Sequence, residues 1–254
     1  MSGRPRNSVV AILLLTTVLY QNVASAGLLR LAPVRVFLDG GTRTAVVELT
    51  NPGDKAIGVQ VDAFDWSQGA DGRDQYQLTS EIVAFPPIFS IPPGKSQLVR
   101  IGQLAPAPTD IESTYRVYFT ELPQVDSESK GLVSLNMRLR IGIPVFSASL
   151  APKRPQLRVV SSEFTEDGLN VRLQNTGNTH LRVSELLAAE LIDAESVKAS
   201  KYLLPGSIQD FLVPVPAGAV VTTVHAITEQ LGTTTFNLET GQALILADAE
   251  LASR

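Results

Sequence analysis

Short runs of apolar residues, separated by turn-forming residues, fill the chain after residue 26. In many of these runs apolar and polar positions alternate with a period of two, which is the pattern of a half-buried β-strand. Turn signals such as Asp39-Gly40-Gly41 and Asn51-Pro52-Gly53-Asp54 lie between them, and their residue types supply a positive or a fixed φ angle. Helical periodicity is nearly missing. The pattern therefore predicts an all-β protein built from β-sandwiches.

Twelve strands are predicted, and seven of them lie before residue 147. A constant-type immunoglobulin sandwich also has seven strands. The predicted strands span residues 28–37, 44–49, 57–66, 82–85, 96–101, 114–121, 132–146, 157–164, 168–174, 180–191, 220–226 and 243–249. The stretch 184–199 fits either a helix or a strand followed by a loop, so it is left unassigned.

Residues 147–155 divide the chain into two predicted domains. Pro152 and Pro155 exclude a central strand here and suit a stiff connector. We expect a first domain over residues 27–147 and a smaller second domain over residues 156–254. A length of 254 residues is compatible with two domains of ordinary size.

Composition then narrows the classes of function. The 44% of hydrophobic residues is enough for a packed core. The 21 Lys and Arg residues against 25 Asp and Glu residues leave a net charge of −4, so a nucleic-acid partner is not expected. The chain has no Cys, which excludes disulfides, thiolate catalysis and Cys-based zinc sites.

The first 26 residues are predicted to be a secretory signal peptide. Arg4 and Arg6 precede an apolar run over residues 9–20, and Ala24-Ser25-Ala26 follows as a small-residue cleavage site. We expect cleavage after Ala26 and, in a host with two membranes, release into the space between them. An uncleaved anchor helix is the alternative, although the run is shorter than the ~20 residues that a spanning helix needs. No later segment has that length, so stable membrane insertion is not expected.

The sequence predicts neither an enzyme nor a cofactor nor a metal site. General acid-base catalysis usually needs His, Cys or a matched carboxylate pair, and this chain offers only His180 and His225, neither in a catalytic motif. His180 follows a turn, so we expect it to cap that turn or to lie on the surface. Asp71 and Asp74 flank a glycine, but the ligand spacing of a calcium loop is missing.

The segment 132–143 alternates unusually regularly. The odd positions from 133 to 143 carry Val, Leu, Met, Leu, Ile and Ile, and the even positions from 134 to 142 carry Ser, Asn, Arg, Arg and Gly. A period of two places every apolar side chain on one face. One interpretation is a half-buried sandwich strand whose apolar row lies in its own core. The other is an edge strand that offers this row and its backbone to another chain by β-strand addition.

Several blocks of the first domain resemble the periplasmic pilus-assembly (fimbrial) chaperones of the chaperone-usher pathway, in order and in spacing. They are residues 34–40, 47–51, 85–87, 93–101, 112–117 and 121–123, with a weaker block at 175–180. The resemblance implies two immunoglobulin-like β-sandwich domains in an L-shape and a protein without catalysis or cofactor. It implies a pilin-like subunit and an outer-membrane usher as partners and the periplasm as the location.

In this family the last strand of the first domain fills a groove of the incomplete subunit. The resemblance assigns that donor row to Val133, Leu135, Met137, Leu139, Ile141 and Ile143. An unoccupied row of this kind also predicts possible self-association of the free protein. A structural or adhesive component of an extracellular fibre is the alternative function, and an exported enzyme that uses carboxylates is a further one.

A pair of basic residues in this family holds the C-terminal carboxylate of the subunit. The resemblance assigns Arg35 to the first member, whereas Pro144 stands at the position of the second. This departure is similar to the archaic branch of the family. Arg140, Arg138 and Arg100 are the proposed substitutes, and Arg140 is preferred because it shares the parity of residue 144. The alternative for Arg35 is a plain surface charge near Asp39 or Glu48.

Overall fold

The computed structural model describes residues 29–123, 138–190, 197–216, 219–238 and 243–244. The chain is all-β in these ranges, as predicted, and none of their residues belongs to a helix that could cross a bilayer. The strands are β1 (Arg30–Ala32), β2 (Val36–Leu38), β3 (Thr44–Thr50), β4 (Ile57–Gln68), β5 (Asp74–Leu78), β6 (Ile82–Phe85), β7 (Ile88–Ile91), β8 (Ser96–Gln103), β9 (Ser113–Glu121), β10 (Arg140–Ser147), β11 (Leu157–Thr165), β12 (Gly168–Asn175), β13 (Leu181–Ala188), β14 (Val197–Leu203), β15 (Ile208–Val213), β16 (Thr223–Thr228), β17 (Gly232–Asn237) and β18 (Ala243–Leu244).

Strands β1 to β10 form two sheets that pack face to face. The first has the order β1-β3-β8-β6 and the second the order β2-β10-β9-β4-β5, with β7 also paired to β4. Alternation along the strands sends one side-chain row of each sheet into the shared core: on β9, Tyr115, Val117 and Phe119 are buried, whereas the residues between them are partly exposed. This arrangement is the expected sandwich.

Strands β11 to β18 form a second, separate core between two further sheets. These have the orders β11-β12-β15 and β14-β13-β16-β17-β18. Phe211 and Phe236 are among its largest fully enclosed side chains. The previously unassigned stretch 184–199 is strand at residues 184–188, which belong to β13, and at residues 197–199, which belong to β14, and Ala189 and Glu190 form a turn.

The predicted first strand, 28–37, is two strands that join different sheets. β1 pairs with β3 in the first sheet, and β2 pairs in parallel with β10 in the second. Pro33 lies between them, and a proline has no N–H to donate to a ladder, so pairing is interrupted there. The crossing places Arg35 just before β2, beside β10.

Both domains contain the same asparagine-centred corner. The buried Asn51 side-chain amide donates to the carbonyls of Lys55 (2.7 Å) and Ile91 (2.9 Å), and its side-chain oxygen accepts from the Gly53 N–H (2.9 Å). Asn175 repeats this geometry with the carbonyls of Thr179 and Leu203 and the Gly177 N–H, at 2.8, 2.9 and 2.9 Å. The two halves therefore share an architectural device.

Glu112, from the first domain, is buried against the second. Its carboxylate accepts hydrogen bonds from the Thr179 hydroxyl (3.0 Å) and the His180 backbone N–H (3.0 Å), and it contacts His180 Nδ1 at 2.7 Å. The His180 ring stacks on Phe146 with a centroid distance of 3.6 Å. His180 is only 5% exposed, so the expectation of a turn-capping or surface histidine is wrong: the contact between the domains covers it.

Candidate functional site

Part of β10 has a free outer edge among the residues that the structure describes. β9 pairs with the whole of β10, from Arg140 to Ser147, but β2 pairs on the other side only from Val145 to Ser147. Residues 140–144 therefore present backbone groups without a neighbouring strand on that side. Such an edge is a template for another β-strand.

The apolar row of this segment is only partly available to a guest. Leu139 and Ile141 are partly buried and pack against the edge of the first core. Ile143 is 2% exposed and belongs to the core itself, so its assignment to the donor row is corrected: its own domain already encloses it. Val133, Leu135 and Met137 lie outside the described residues.

The opposite face of the same sheet carries aromatic and arginine side chains. The Arg140 guanidinium carbon lies 4.0 Å from the Tyr118 ring centroid, and Phe64 meets Tyr118 edge-on at 5.6 Å. Farther along, Trp66 and Phe146 pack with Tyr202 and Leu204 of the second domain. The second domain thus covers one end of this face, and a cleft opens where the cover ends.

Arg35 lies in this cleft and contacts the second domain. Its Nη1 donates to Glu229 Oε2, and Arg182 Nη1 donates to the other oxygen of the same carboxylate. The side chains of Arg35 and Glu229 are 32% and 33% exposed, so solvent reaches the pair. Arg35 has no hydrogen bond or ion pair to Asp39 or Glu48 in the described structure, and its observed partner is Glu229 instead.

Electrostatics in the cleft favour the charged state of both partners. The hydrogen bond to Glu229 raises the pKa of Arg35 above its ordinary value. Burial by itself would raise the pKa of Glu229, but the hydrogen bonds from Arg35 and Arg182 outweigh it and leave that pKa lowered. The cleft therefore already holds a carboxylate in an arginine clamp.

Arg116 is a cleft residue that the sequence analysis did not select. It lies on β9 directly opposite Pro144, and the parallel register of β2 and β10, continued by one residue, places Arg35 on the other side of Pro144. Its guanidinium carbon lies 4.6 Å from the Trp66 ring centroid. Its Nε and Nη1 are buried without a hydrogen-bond partner among the described residues. Buried donors of this kind call for an acceptor.

One sequence signal did mark Arg116. It alternates with Tyr115 and Val117, so a charged side chain on the outer face of a buried strand was visible. What the sequence did not contain was the partner across the sheet, because the register between β9 and β10 joins residues that lie 28 positions apart.

The three substitutes proposed from sequence lie elsewhere. Arg100 is exposed on β8 in the first sheet, opposite Val46 and Phe85, so its assignment to the carboxylate anchor is corrected: the sandwich separates it from Arg35. Arg140 is four residues from Pro144, which is about 13 Å along a strand. Arg138 is exposed beyond Arg140. None of these three arginines shares a cross-strand row with Pro144, whereas Arg116 does.

A cavity of about 420 Å³ adjoins this row between the domains. Trp66, Arg116, Lys201 and Tyr202 are among the residues that line it. Within the described ranges, no group of three or more His, Asp or Glu side chains could hold a metal ion. Asp71 and Asp74 are engaged locally: Asp71 accepts from the Arg73 N–H at 3.0 Å, and Asp74 accepts from the Tyr76 hydroxyl at 2.9 Å.

Solved structures with this fold include several chaperones. In the CsuC-CsuE chaperone-tip adhesion subunit pre-assembly complex from archaic chaperone-usher Csu pili of Acinetobacter baumannii, the similar chain has a TM-score of 0.62 and 21% identity, covering 82% of this chain and 97% of that chain. The similar chain in the Salmonella enterica SafA pilin complex with the SafB chaperone has a TM-score of 0.59 and 18% identity, and the match covers 84% of this chain and 97% of that chain. The E. coli chaperone DraB has a TM-score of 0.55 and 21% identity, and the match covers 83% of this chain and 97% of that chain. At these identities the likeness establishes the fold.

Sequence comparison supplies the family. No curated protein sequence matches the chain. Residues 28–152 match the family model described as pili and flagellar-assembly chaperone, PapD N-terminal domain. This range spans both sheets of the first sandwich and the whole of β10. The first sandwich of this chain is therefore a PapD N-terminal domain, which places that part of the chain in the family of pili and flagellar-assembly chaperones.

Proposed function

We propose that this protein is a periplasmic chaperone that captures an incomplete pilus subunit by donating a β-strand to it. The observation that carries the proposal is the free outer edge of β10 between Arg140 and Pro144, which leads into the cleft beside Arg35 and Arg116. β-strand addition uses such an edge: backbone hydrogen bonds supply affinity, and alternate side chains supply specificity.

The proposed donor row is Val133, Leu135, Met137, Leu139 and Ile141. Its first three members rest on the sequence pattern alone. Leu139 and Ile141 support the row because they lie at the edge of the core and keep part of their surface exposed. Ile143 ends the row inside the domain, so it fixes the strand to its own core while the preceding residues serve the guest.

We assign the C-terminal carboxylate of the guest to Arg35 and Arg116. The two arginines flank Pro144, so two strand spacings of ~4.8 Å separate their backbones. A carboxylate between them would satisfy the unpaired donors of Arg116 and gain a charge-assisted bond from Arg35. Pro144 stands where the family has its second basic residue, and the basic side chain of Arg116 lies on the neighbouring strand instead. This departure also supports our assignment of the protein to the archaic branch of the family.

The remaining parts of the proposal follow from the family. The protein would reach the periplasm after cleavage following Ala26, and an outer-membrane usher would receive its complex. Two of the similar structures contain a tip adhesion subunit and a pilin, which supports a guest of that class. We propose no catalysis: His180 is enclosed between the domains, and His225 Nδ1 is held by the Thr235 hydroxyl at 2.8 Å.

Co-expression with exported subunits encoded near this gene tests the proposal. We expect one of them to be recovered from the periplasm as a one-to-one complex with this chain. Failure with every such subunit would overturn the proposal. Stable incorporation of this chain into a fibre would instead support the structural or adhesive alternative.

A further inference from the structure

Glu229 accepts a hydrogen bond from Arg35, which is one of the two arginines that we assign to the carboxylate of a guest. One of its oxygens accepts from Arg35 in the first domain, and the other accepts from Arg182 in the second. A single carboxylate therefore bridges two guanidinium groups. This is the bonding pattern that a peptide C-terminus would form in the same place, because both are carboxylates.

Arg182 is held in position by contacts that do not involve Glu229. Its Nη2 donates to the Ser200 hydroxyl at 2.7 Å, and its guanidinium carbon lies 5.8 Å from the Tyr202 ring centroid. Its Nε is buried without a hydrogen-bond partner in the described part of the chain. Arg182 thus keeps its orientation and a spare donor when the carboxylate in front of it changes.

The turn that carries Glu229 does not depend on the carboxylate either. Glu229 lies between β16 and β17, where the Leu231 N–H donates to the Thr228 hydroxyl at 3.0 Å and the Glu229 N–H donates to the Arg182 carbonyl at 3.2 Å. Gln230 accepts from the Arg182 N–H at 2.9 Å. These bonds hold the hairpin, so the Glu229 side chain can rotate away without refolding it.

We propose that Glu229 is an internal ligand that occupies the carboxylate site of the free protein, and that Arg182 is a second-domain member of this site. The inference rests on the proposed function, since the displacing group is the C-terminal carboxylate of a guest. The pair is one-third exposed and solvent-screened, so exchange requires no opening of the core. A guest without a free carboxylate gains nothing from displacing Glu229.

The test uses the full-length mature protein and a synthetic strand peptide with alternating valine and threonine residues. The peptide is prepared with a free C-terminal carboxylate and, separately, as the C-terminal amide. We expect Glu229→Gln to bind the carboxylate peptide at least about fivefold more tightly than wild type, because the competitor is gone. Binding of the amide should not change. Adding Arg182→Gln to Glu229→Gln should abolish the gain.

Asp210→Asn is the matched control. Asp210 also pairs with an arginine of the second domain, Arg172, at 2.7 Å, but outside the cleft. A general effect of removing one negative charge would raise affinity in this variant as well and would overturn the proposal. Equal carboxylate binding by wild type and Glu229→Gln, or no preference for carboxylate over amide in either protein, would also overturn it.

Failure of this inference is distinguishable from failure of the proposed function. If co-expression yields a subunit complex and Glu229→Gln shows no gain, only the internal-ligand role is lost. Thermal unfolding of the same variants completes the test. A Glu229→Gln protein that melts earlier and binds no better identifies the contact as a structural bridge between the domains.

Discussion

Pro144 on β10 lies directly opposite Arg116 on β9, and the two share the face of the sheet that looks into the cleft. The position where the family places a basic side chain is thus neutral, but a guanidinium lies one strand away with two buried N–H groups unpaired within the described structure. The cleft therefore keeps a positive charge, which Arg116 supplies in place of a basic residue at position 144.

Replacing either cleft arginine by methionine should weaken subunit capture. Arg35→Met and Arg116→Met keep an apolar stem but remove the donors, so affinity should fall by about 30-fold or more. Arg116→Met should leave the free energy of unfolding unchanged or slightly higher, because it removes buried donors without partners. Complex yield and urea unfolding measure the two effects. Unaltered capture by Arg116→Met would remove Arg116 from the site.

Arg158→Met is the control for these variants. Arg158 lies on the exposed side of β11 and donates to Gln174 at 2.7 Å, outside the cleft. It should capture the subunit as wild type does.

Charge introduced into the donor row should depend on parity. Each apolar side chain buried in a guest contributes roughly 1.5 to 3 kcal/mol, so Leu135→Glu and Leu139→Glu should weaken capture more than Ser134→Glu. Binding of each purified variant to the same subunit measures this. Equal losses at odd and even positions would contradict strand donation. Urea unfolding must accompany Leu139→Glu, because Leu139 also packs on its own core.

The buried Glu112 carboxylate should couple the two domains. Glu112→Ala leaves the Thr179 hydroxyl and the His180 N–H without their acceptor, which should cost about 2 to 5 kcal/mol. We expect calorimetry to resolve two unfolding transitions where the wild type has one. Glu163→Ala, at an exposed position of β11, should melt as wild type does. A single undisplaced transition in Glu112→Ala would disprove the coupling.

The Arg35–Glu229–Arg182 contact should add stability only above the titration range of the carboxyl group. The pKa of Glu229 in the folded protein is lowered from its ordinary value of 4.5. The contact therefore contributes fully to the free energy of unfolding above pH 4.5, and this contribution disappears as the pH falls through the folded pKa. The difference in melting temperature between wild type and Glu229→Gln should therefore shrink on acidification from pH 7. A constant difference would mean that the charge of Glu229 is irrelevant.

A side chain at position 142 should destabilise the first sandwich. A Cβ there would lie 2.6 Å from Tyr118 Cε1, so Gly142→Ala should displace the ring beneath Arg140 and cost about 1 to 3 kcal/mol. Gly102→Ala is the matched control in another strand, where the nearest contact would be an ordinary 3.7 Å to Val83. Urea unfolding compares the two. Equal stability changes would show that Tyr118 moves freely.

Sequence pattern predicted the fold class and most long strands because their apolar alternation is local. β5 was missed because all five of its residues, Asp74 to Leu78, are exposed and only Tyr76 and Leu78 among them are apolar, which is too short a row to predict a strand. The change of sheet at Pro33 was missed because apolar residues lie on both sides of this proline, and their pattern predicts one continuous strand. Arg35 was assigned from a contiguous block, whereas Arg116, Arg182 and Glu229 come together only through tertiary contacts.

The corner centred on Asn175 has a consequence for how the cleft assembles. The same loop presents Thr179 and His180 to Glu112, and β13, which carries Arg182, begins at its end. One loop therefore holds both the groups that donate to Glu112 and the start of the strand that brings Arg182 to Glu229. A change at the asparagine amide would disturb the contact between the domains and the arginine clamp together.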